Sequence, residues 1–189
     1  MQKTLAFVIR KTPIGEADYV VELFTREIGK LRCIAKGARK SKKRFGGRLE
    51  PFLELSVIIR ESRRGMPLLT EVNVRQVFSS FQRDLGLFSW GVFVLETVDL
   101  LTPSQDPDPG IFDVAIETMQ RLNDNHDVLE TVMDFQLRAL ALAGYGIEPK
   151  AKSGDNEEQL KGIKALTTFT ETQTGKSYKS SKFLEELQR

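Results

Sequence analysis

Five short segments within the first 75 residues alternate apolar and polar positions, and that alternation confines this part of the chain to a small all-β architecture. In TLAFVIR, Leu5, Phe7 and Ile9 oppose Ala6 and Val8; in DYVVELFT, Tyr19, Val21 and Leu23 oppose Val20, Glu22 and Phe24. KLRCIAKG sets Leu31, Cys33 and Ala35 against Arg32, Ile34 and Lys36. FLELSVIIRES gathers Leu53, Leu55, Val57 and Ile59, and PLLTEVNVRQ gathers Leu68, Val72 and Val74. Successive side chains leave a strand on opposite sides, so each segment reads as a strand with one face turned inward. Turn-forming stretches at 13–15, 26–30 and 63–67 separate them. Five strands with a long connection between the third and the fourth predict a closed or nearly closed barrel, for which the five-stranded OB-fold is the commonest solution.

The period changes after Phe78. FQRDLGLFSWGVFVLETVDLL places Phe81, Leu85, Phe88, Val92, Leu95 and Val98 at steps of three and four, with Trp90, Phe93 and Val94 on other faces, as in a centrally buried helix. Asp108 followed by Pro109 predicts the start of a second helix, GIFDVAIETMQRL, and NDNHD its end. VLETVMDFQLRALALAG aligns Leu129, Val132, Met133, Gln136, Leu137 and Leu140, with Gly144 placed to stop the helix. Beyond Ile147 apolar anchors thin out, so 150–156 reads as an exposed loop, followed by a last helix in SSKFLEELQR. The chain is thus expected to be α+β, with an OB-fold nucleic-acid-binding domain at 1–77 and a helical domain with a C-terminal extension at 78–189.

Charge divides along the same line. Residues 1–75 hold 17 Lys and Arg against 8 Asp and Glu, whereas 76–189 hold 11 against 18. A basic module attracts polyanions, and an acidic neighbour discourages indiscriminate adhesion. Nine of these 17 cations lie from Lys30 to Arg48, in the third strand and the connection after it. Lys30, Arg32, Lys36, Arg39, Lys40, Lys42, Lys43, Arg44 and Arg48 occur with no acid among them. Such a run repels itself unless an anion neutralises it, and a phosphate backbone does so with little sequence preference. Phe45, between Arg44 and the Gly46-Gly47 pair, is a candidate for stacking on a base. Arg10, Lys11, Arg63 and Arg64 are candidates for extending the patch. A solvated loop is the bland alternative for the whole run.

Other features carry less. The single cysteine, Cys33, and the single histidine, His126, cannot assemble a zinc site or an internal disulfide. TGKS at 174–177 lacks the earlier glycine of a phosphate loop, because Thr170 stands in its place. DPDPG at 106–110 departs from a calcium loop at Gly110 and Ile111. No nucleophile, base and orienting group come together in the sequence, so no enzyme and no cofactor are expected. No apolar run approaches the ~20 residues of a membrane span.

The ordered motifs LFTRE.GK, AKGAR and RFGG.LEPF within residues 19–57, then FQRDL, VLETVDLLTP and LRALALAGY, are similar to the bacterial RecO recombination mediators over roughly residues 1–146. The resemblance implies an OB-fold followed by a helical domain, binding to single- and double-stranded DNA, annealing of complementary strands, association with RecR, and help in loading RecA on DNA covered by single-strand binding protein (SSB). It implies a non-enzymatic protein; a cytoplasmic, nucleoid-associated one is expected, since the apolar core of MQKTLAFVIRK is too short for a signal peptide. It also implies docking of the acidic, hydrophobic SSB tail on the helical side, in an apolar groove with a cationic rim for which Arg121, Arg138 and Lys164 are the candidates. Many members carry a four-cysteine zinc element after the GY.P turn; GYGIEPKAKSGDNEEQ has none, so that element is not expected here. Two other functions fit the same physics: an RNA-binding OB-fold protein of translation, and a protein adaptor whose basic loop serves solubility.

Overall fold

The computed structural model of the chain describes residues 1–41, 43–63, 65–148 and 154–180. It divides into two compact units. The first comprises Met1–Val77 together with Pro103–Pro109; the second comprises Phe78–Thr102 and the described residues from Gly110 onward.

In the first unit β1 (Gln2–Ile14), β2 (Asp18–Thr25), β3 (Gly29–Ala35), β4 (Leu53–Arg60) and β5 (Leu68–Val77) close into a barrel in the order β1-β2-β3-β5-β4. Neighbours run antiparallel except β3 and β5, which meet in parallel at Ile34 and Leu68. This is the OB-fold that the alternation predicts. Ala6, Val8, Val21, Leu23, Leu31, Cys33, Leu55 and Val57 fill the interior; on β1 the inward set is Ala6 and Val8, not Leu5, Phe7 and Ile9. Burial pushes the Cys33 thiol up to about 12, which leaves it an inert core residue.

Of three departures from simple alternation, which leave Ile9, Thr70 and Arg75 unmatched, the first two change faces read from the sequence. On β1, Val8 faces Leu23 and Arg10 faces Glu22, so Ile9 is an extra residue. A bulge inverts the phase of the strand beyond it; Arg10 and Thr12 therefore turn outward beside Glu22, where a regular strand would turn them in. On β5, Leu69 faces Ile59 and Glu71 faces Ile58, with Thr70 unmatched between them. That bulge corrects the expected grouping of Leu68 with Val72 and Val74. Leu69 takes the interior place, Leu68 is only half-buried, and Val74, although opposite Leu55, stays 38% exposed.

The segment Pro103–Pro109 is bound to the barrel. Ser104 bridges in parallel to Lys30, and the Gln105 N–H donates to the Lys30 carbonyl at 2.9 Å. Gly29 lies beneath it at φ 80°, where a Cβ would come within 2.3 Å of the Asp106 carbonyl oxygen. Only glycine admits both that conformation and that approach.

The second unit holds a short 3-10 turn (Ser79–Gln82), α1 (Leu85–Leu101), α2 (Pro109–Asn123), α3 (Val128–Leu142) and α4 (Asn156–Thr174). Asp84, Asp127 and Asp155 cap α1, α3 and α4 by accepting from the N–H three residues on, at 2.8–2.9 Å. Such caps are worth about 1 kcal/mol each. Pro109 opens α2 as expected. At the end of α3 the Gly144 N–H donates to Ala141 O and the Tyr145 N–H to Leu140 O, with Gly144 left-handed at φ 84°. The expected buried face of α1 is corrected at its N-terminal end: Leu85 is 68% and Phe88 39% exposed, while Phe93 and Val94 are fully buried. The helix is rotated away from a stripe through Leu85, so that Phe93 stacks on Tyr178, ring centroids 4.8 Å apart. Tyr178 donates its hydroxyl proton to Thr97 Oγ1 at 3.0 Å, and the Glu96 carboxylate accepts from the N–H groups of Lys179 and Ser180.

The loop expected at 150–156 gives way to α4 from Asn156 onward; residues 149–153 lie outside those described. TGKS is the end of α4, with Gly175 left-handed at φ 66° and its N–H donating to Glu171 O. The helix expected in SSKFLEELQR falls, from residue 181, outside the described residues. No helix among the described residues is long and apolar enough to cross a membrane.

Candidate nucleic-acid interface

In the connection between β3 and β4, residues 36–41 and 43–52 form a succession of turns held by apolar side chains that point into the barrel. Ala38, Phe45 and Leu49 join the interior cluster, and Phe52 is 3% exposed. This corrects the expected role of Phe45. Its ring is 2% exposed, with the Arg44 guanidinium 4.6 Å from its centroid, so no face is left for a base. Burial of a phenylalanine is worth roughly 1.5–3 kcal/mol, and that anchor gives a charged, glycine-containing segment a fixed course.

Polar contacts fix the loop from the other side. The Gly37 N–H donates to Asp18 Oδ1 at 2.7 Å, the Arg39 N–H to Ala17 O at 2.9 Å, and Arg39 Nη1 to Gly15 O at 2.8 Å. Arg44 Nη2 donates to Lys36 O at 2.7 Å. The basic loop is thereby tied to the β1–β2 turn. Sequence reasoning misses Asp18, since nothing local links it to a glycine 19 residues away.

The turn at 15–17, the described residues 61–63 and 65–67 between β4 and β5, and the exit of β3 all lie at one end of the barrel. Tyr19 pairs with Ala35, Ile34 with Leu68, and Arg60 with Leu68; the Ile34 N–H also donates to Pro67 O at 2.8 Å. In OB-folds this end, with the outer face of β2 and β3, is where oligonucleotides bind.

The structure sorts the nine cations. Arg32, Lys36, Arg39, Lys40, Lys43 and Arg44 are exposed; Arg48 is half-buried and donates to Val72 O at 3.2 Å. Lys30 is 6% exposed beneath the Pro103–Pro109 segment, which removes it from any ligand surface. Lys42 and Arg64 lie outside the described residues. Glu50, the acid that closes the run, is taken by Lys11, which also lies 5.6 Å from the Tyr19 ring centroid. Among the described residues, the six exposed cations make no ion pair with a carboxylate.

The cations singled out on the helical side stand differently. Arg121 pairs with Asp134 at 2.8 Å, and Arg138 reaches Glu117 at 2.8 Å and Asp134 at 3.4 Å. The Arg138 hydrogen bond holds the Glu117 carboxyl below its ordinary range. Lys164 is exposed on α4, but the groove of about 490 Å³ between α3 and α4 is lined by Met133, Leu137, Glu158, Gly162, Ala165 and Leu166, and helical periodicity turns Lys164 to the other side of α4. Arg121 and Arg138 therefore serve the α2–α3 contact, and the structure does not bring all three together as one rim. Among the described residues no group of three or more His, Cys, Asp or Glu could hold a metal ion.

Comparison with known proteins agrees with this architecture. Residues 1–78 match the family Recombination protein O N terminal, and residues 82–159 match Recombination protein O C terminal. A DNA repair protein RecO of Myxococcus xanthus is 37% identical over 139 residues, 74% of this chain and 57% of that protein. One from Desulfatibacillum aliphaticivorans is 35% identical over 144 residues, covering 75% and 56% of the two chains. One from Bifidobacterium animalis subsp. lactis is 32% identical over 144 residues, covering 75% and 60%. The chain spans between 56% and 60% of the length of these relatives. The OB barrel with its bound Pro103–Pro109 segment, the helices after it and both family matches lead to one conclusion: the chain belongs to the RecO family.

Proposed function

We propose that the protein acts in recombinational DNA repair as a DNA-binding mediator. It binds and anneals single-stranded DNA and, with RecR, helps load RecA on SSB-coated strands. The observation that carries this reading is the set of six exposed cations on the β3 face and basic loop of an OB barrel, the loop held by buried anchors and, among the described residues, none of the six paired with a carboxylate. Charges so placed repel one another within a Debye length of about 8 Å at physiological salt, and a polyphosphate chain relieves the repulsion while releasing condensed counterions. The protein has no catalytic or cofactor role in this scheme: annealing needs two strands held together with their charges neutralised. Its place of action is the nucleoid in the cytoplasm.

The SSB tail, an acidic and hydrophobic peptide, is assigned to the helical unit. The α3–α4 groove supplies apolar surface for it from Met133, Leu137 and Leu166, with the tail's acidic residues lying clear of Glu158, which lines the same groove. The test of the whole reading is strand annealing on SSB-coated complementary oligonucleotides, with matched RNA oligomers in parallel. Faster annealing of the DNA strands supports it. Preference for RNA transfers the protein to RNA chemistry, and no nucleic-acid binding at moderate salt leaves a protein adaptor.

A further inference from the structure

Three outward-facing residues lie in one row across the barrel: Arg10 on β1 opposite Glu22 on β2, and Glu22 opposite Arg32 on β3. The next row is Thr12, Val20 and Ile34. Arg10, Thr12, Val20, Glu22 and Arg32 line a cleft of about 230 Å³. Strands lie about 4.8 Å apart, so the two guanidinium stems flank the carboxylate on both sides, with the aliphatic side chain of Val20, 9% exposed, as part of the floor. The Ile9 bulge creates this arrangement, because without the extra residue Arg10 and Thr12 would turn toward the interior.

A carboxylate at the centre of a DNA-binding face repels phosphate, so the cleft does not continue the phosphate track of the basic loop. It suits the uncharged part of a nucleotide instead. The lining is almost entirely polar, so hydrogen bonding and not stacking decides what enters. The carboxylate accepts hydrogen bonds, and the arginines donate them. Of the four bases, guanine alone presents two adjacent donors, N1–H and the N2 amino group, next to an acceptor, O6. Adenine and cytosine each offer one donor group beside ring acceptors, and thymine offers one N–H between two carbonyls. Glu22 matches the guanine donor pair and an arginine matches O6.

We propose that the Arg10–Glu22–Arg32 cleft is a base subsite selective for unpaired guanine. This inference rests on the DNA-binding reading and deepens it. The edge it reads is the one used in Watson–Crick pairing, so the subsite accepts single strands only, and a guanine that finds its complement leaves.

The test titrates the full-length protein into labelled thymidine oligonucleotides at fixed salt. One series carries isolated, well-separated guanines, a second adenines or cytosines at the same positions, and a third inosine, which lacks the N2 amino group. The guanine series is expected to bind about tenfold tighter than the others, as for one good multidentate base contact. Glu22→Gln removes the preference, so that guanine and all-thymidine strands bind that variant alike. The inosine series, which leaves the protein unaltered, loses most of the preference independently of any variant. Tight binding with no guanine preference, or a preference that survives both Glu22→Gln and inosine, overturns the subsite and leaves the DNA-binding function standing. Absence of binding to every oligonucleotide overturns both.

Discussion

The barrel loop and the helical unit both carry arginines and lysines, and the two put them to opposite uses. Arg121, Arg138 and Lys161 each close on a carboxylate of their own unit, Asp134, Glu117 and Glu157 respectively. Arg32 on β3 and Lys36, Arg39, Lys40, Lys43 and Arg44 on the loop are equally cationic and, among the described residues, are presented without such partners, while Phe45 and Leu49 hold the loop from beneath. A count of positive residues does not separate these groups. What separates them is whether the compensating acid is built into the fold or must arrive with a ligand.

The sharpest way to break the comparison is to remove the anchor and leave the charges. Phe45→Ala is expected to cost about 3–5 kcal/mol in urea unfolding, as for other buried phenylalanines. The salt dependence of DNA binding by the protein that remains folded should be almost unchanged. A variant that kept full stability would show that the ring is not a core residue.

The second removes the charges and leaves the anchor. Replacing Lys36, Lys40 and Lys43 with alanine deletes three phosphate contacts, each worth a slope of about 0.7 in log affinity against log salt. Single-strand affinity should fall roughly 100-fold at 0.1 M salt and converge on wild type near 1 M. An unchanged slope in anisotropy titrations would place the contacts elsewhere on the barrel. In contrast, Arg138→Ala should leave that slope alone and lower thermal stability by roughly 0.5–1 kcal/mol, the range of partly exposed pairs.

The smallest effect concerns acid. Arg138 depresses the Glu117 carboxyl below its usual 4.5. A depressed carboxyl contributes stability above its unfolded value and loses it as pH falls through the folded one. Wild type should therefore lose a few tenths of a kcal/mol more than Arg138→Ala on acidification below about pH 4.5, because the pair is partly solvent-screened. Parallel unfolding curves for the two proteins across that range would remove the coupling.

The alternation of β1 to β4 was legible because a barrel interior enforces it residue by residue, and the unmatched charges of the basic run were legible as an absence of acids. The bulges at Ile9 and Thr70 were not, since an extra residue is defined only by the strand it faces. Phe45 was not either: Arg44 before it and Gly46 after it describe an exposed turn, and the barrel opening that receives the ring is built by segments distant in sequence. α4 escaped notice because it buries few apolar side chains, Ile163 chief among them, and is rich in threonine. Its cap was there to be read, in Asp155 three residues before Glu158. The pairing of Arg121 and Arg138 depends on the register of α2 against α3, which no local pattern reports.

The contact of Gly29 with Asp106 also bears on the order in which the polypeptide emerges during synthesis. A barrel that ended at Val77 could finish folding as soon as that residue cleared the ribosome. Here the last piece of the unit, Pro103–Pro109, comes after the whole of α1. At 5–20 residues per second, the nascent barrel waits on the order of seconds with the backbone around Gly29 and Lys30 uncovered. A fragment cut at Val77 would remain in that unfinished state, so a separately produced barrel should carry residues 103–109, joined by a short linker in place of α1.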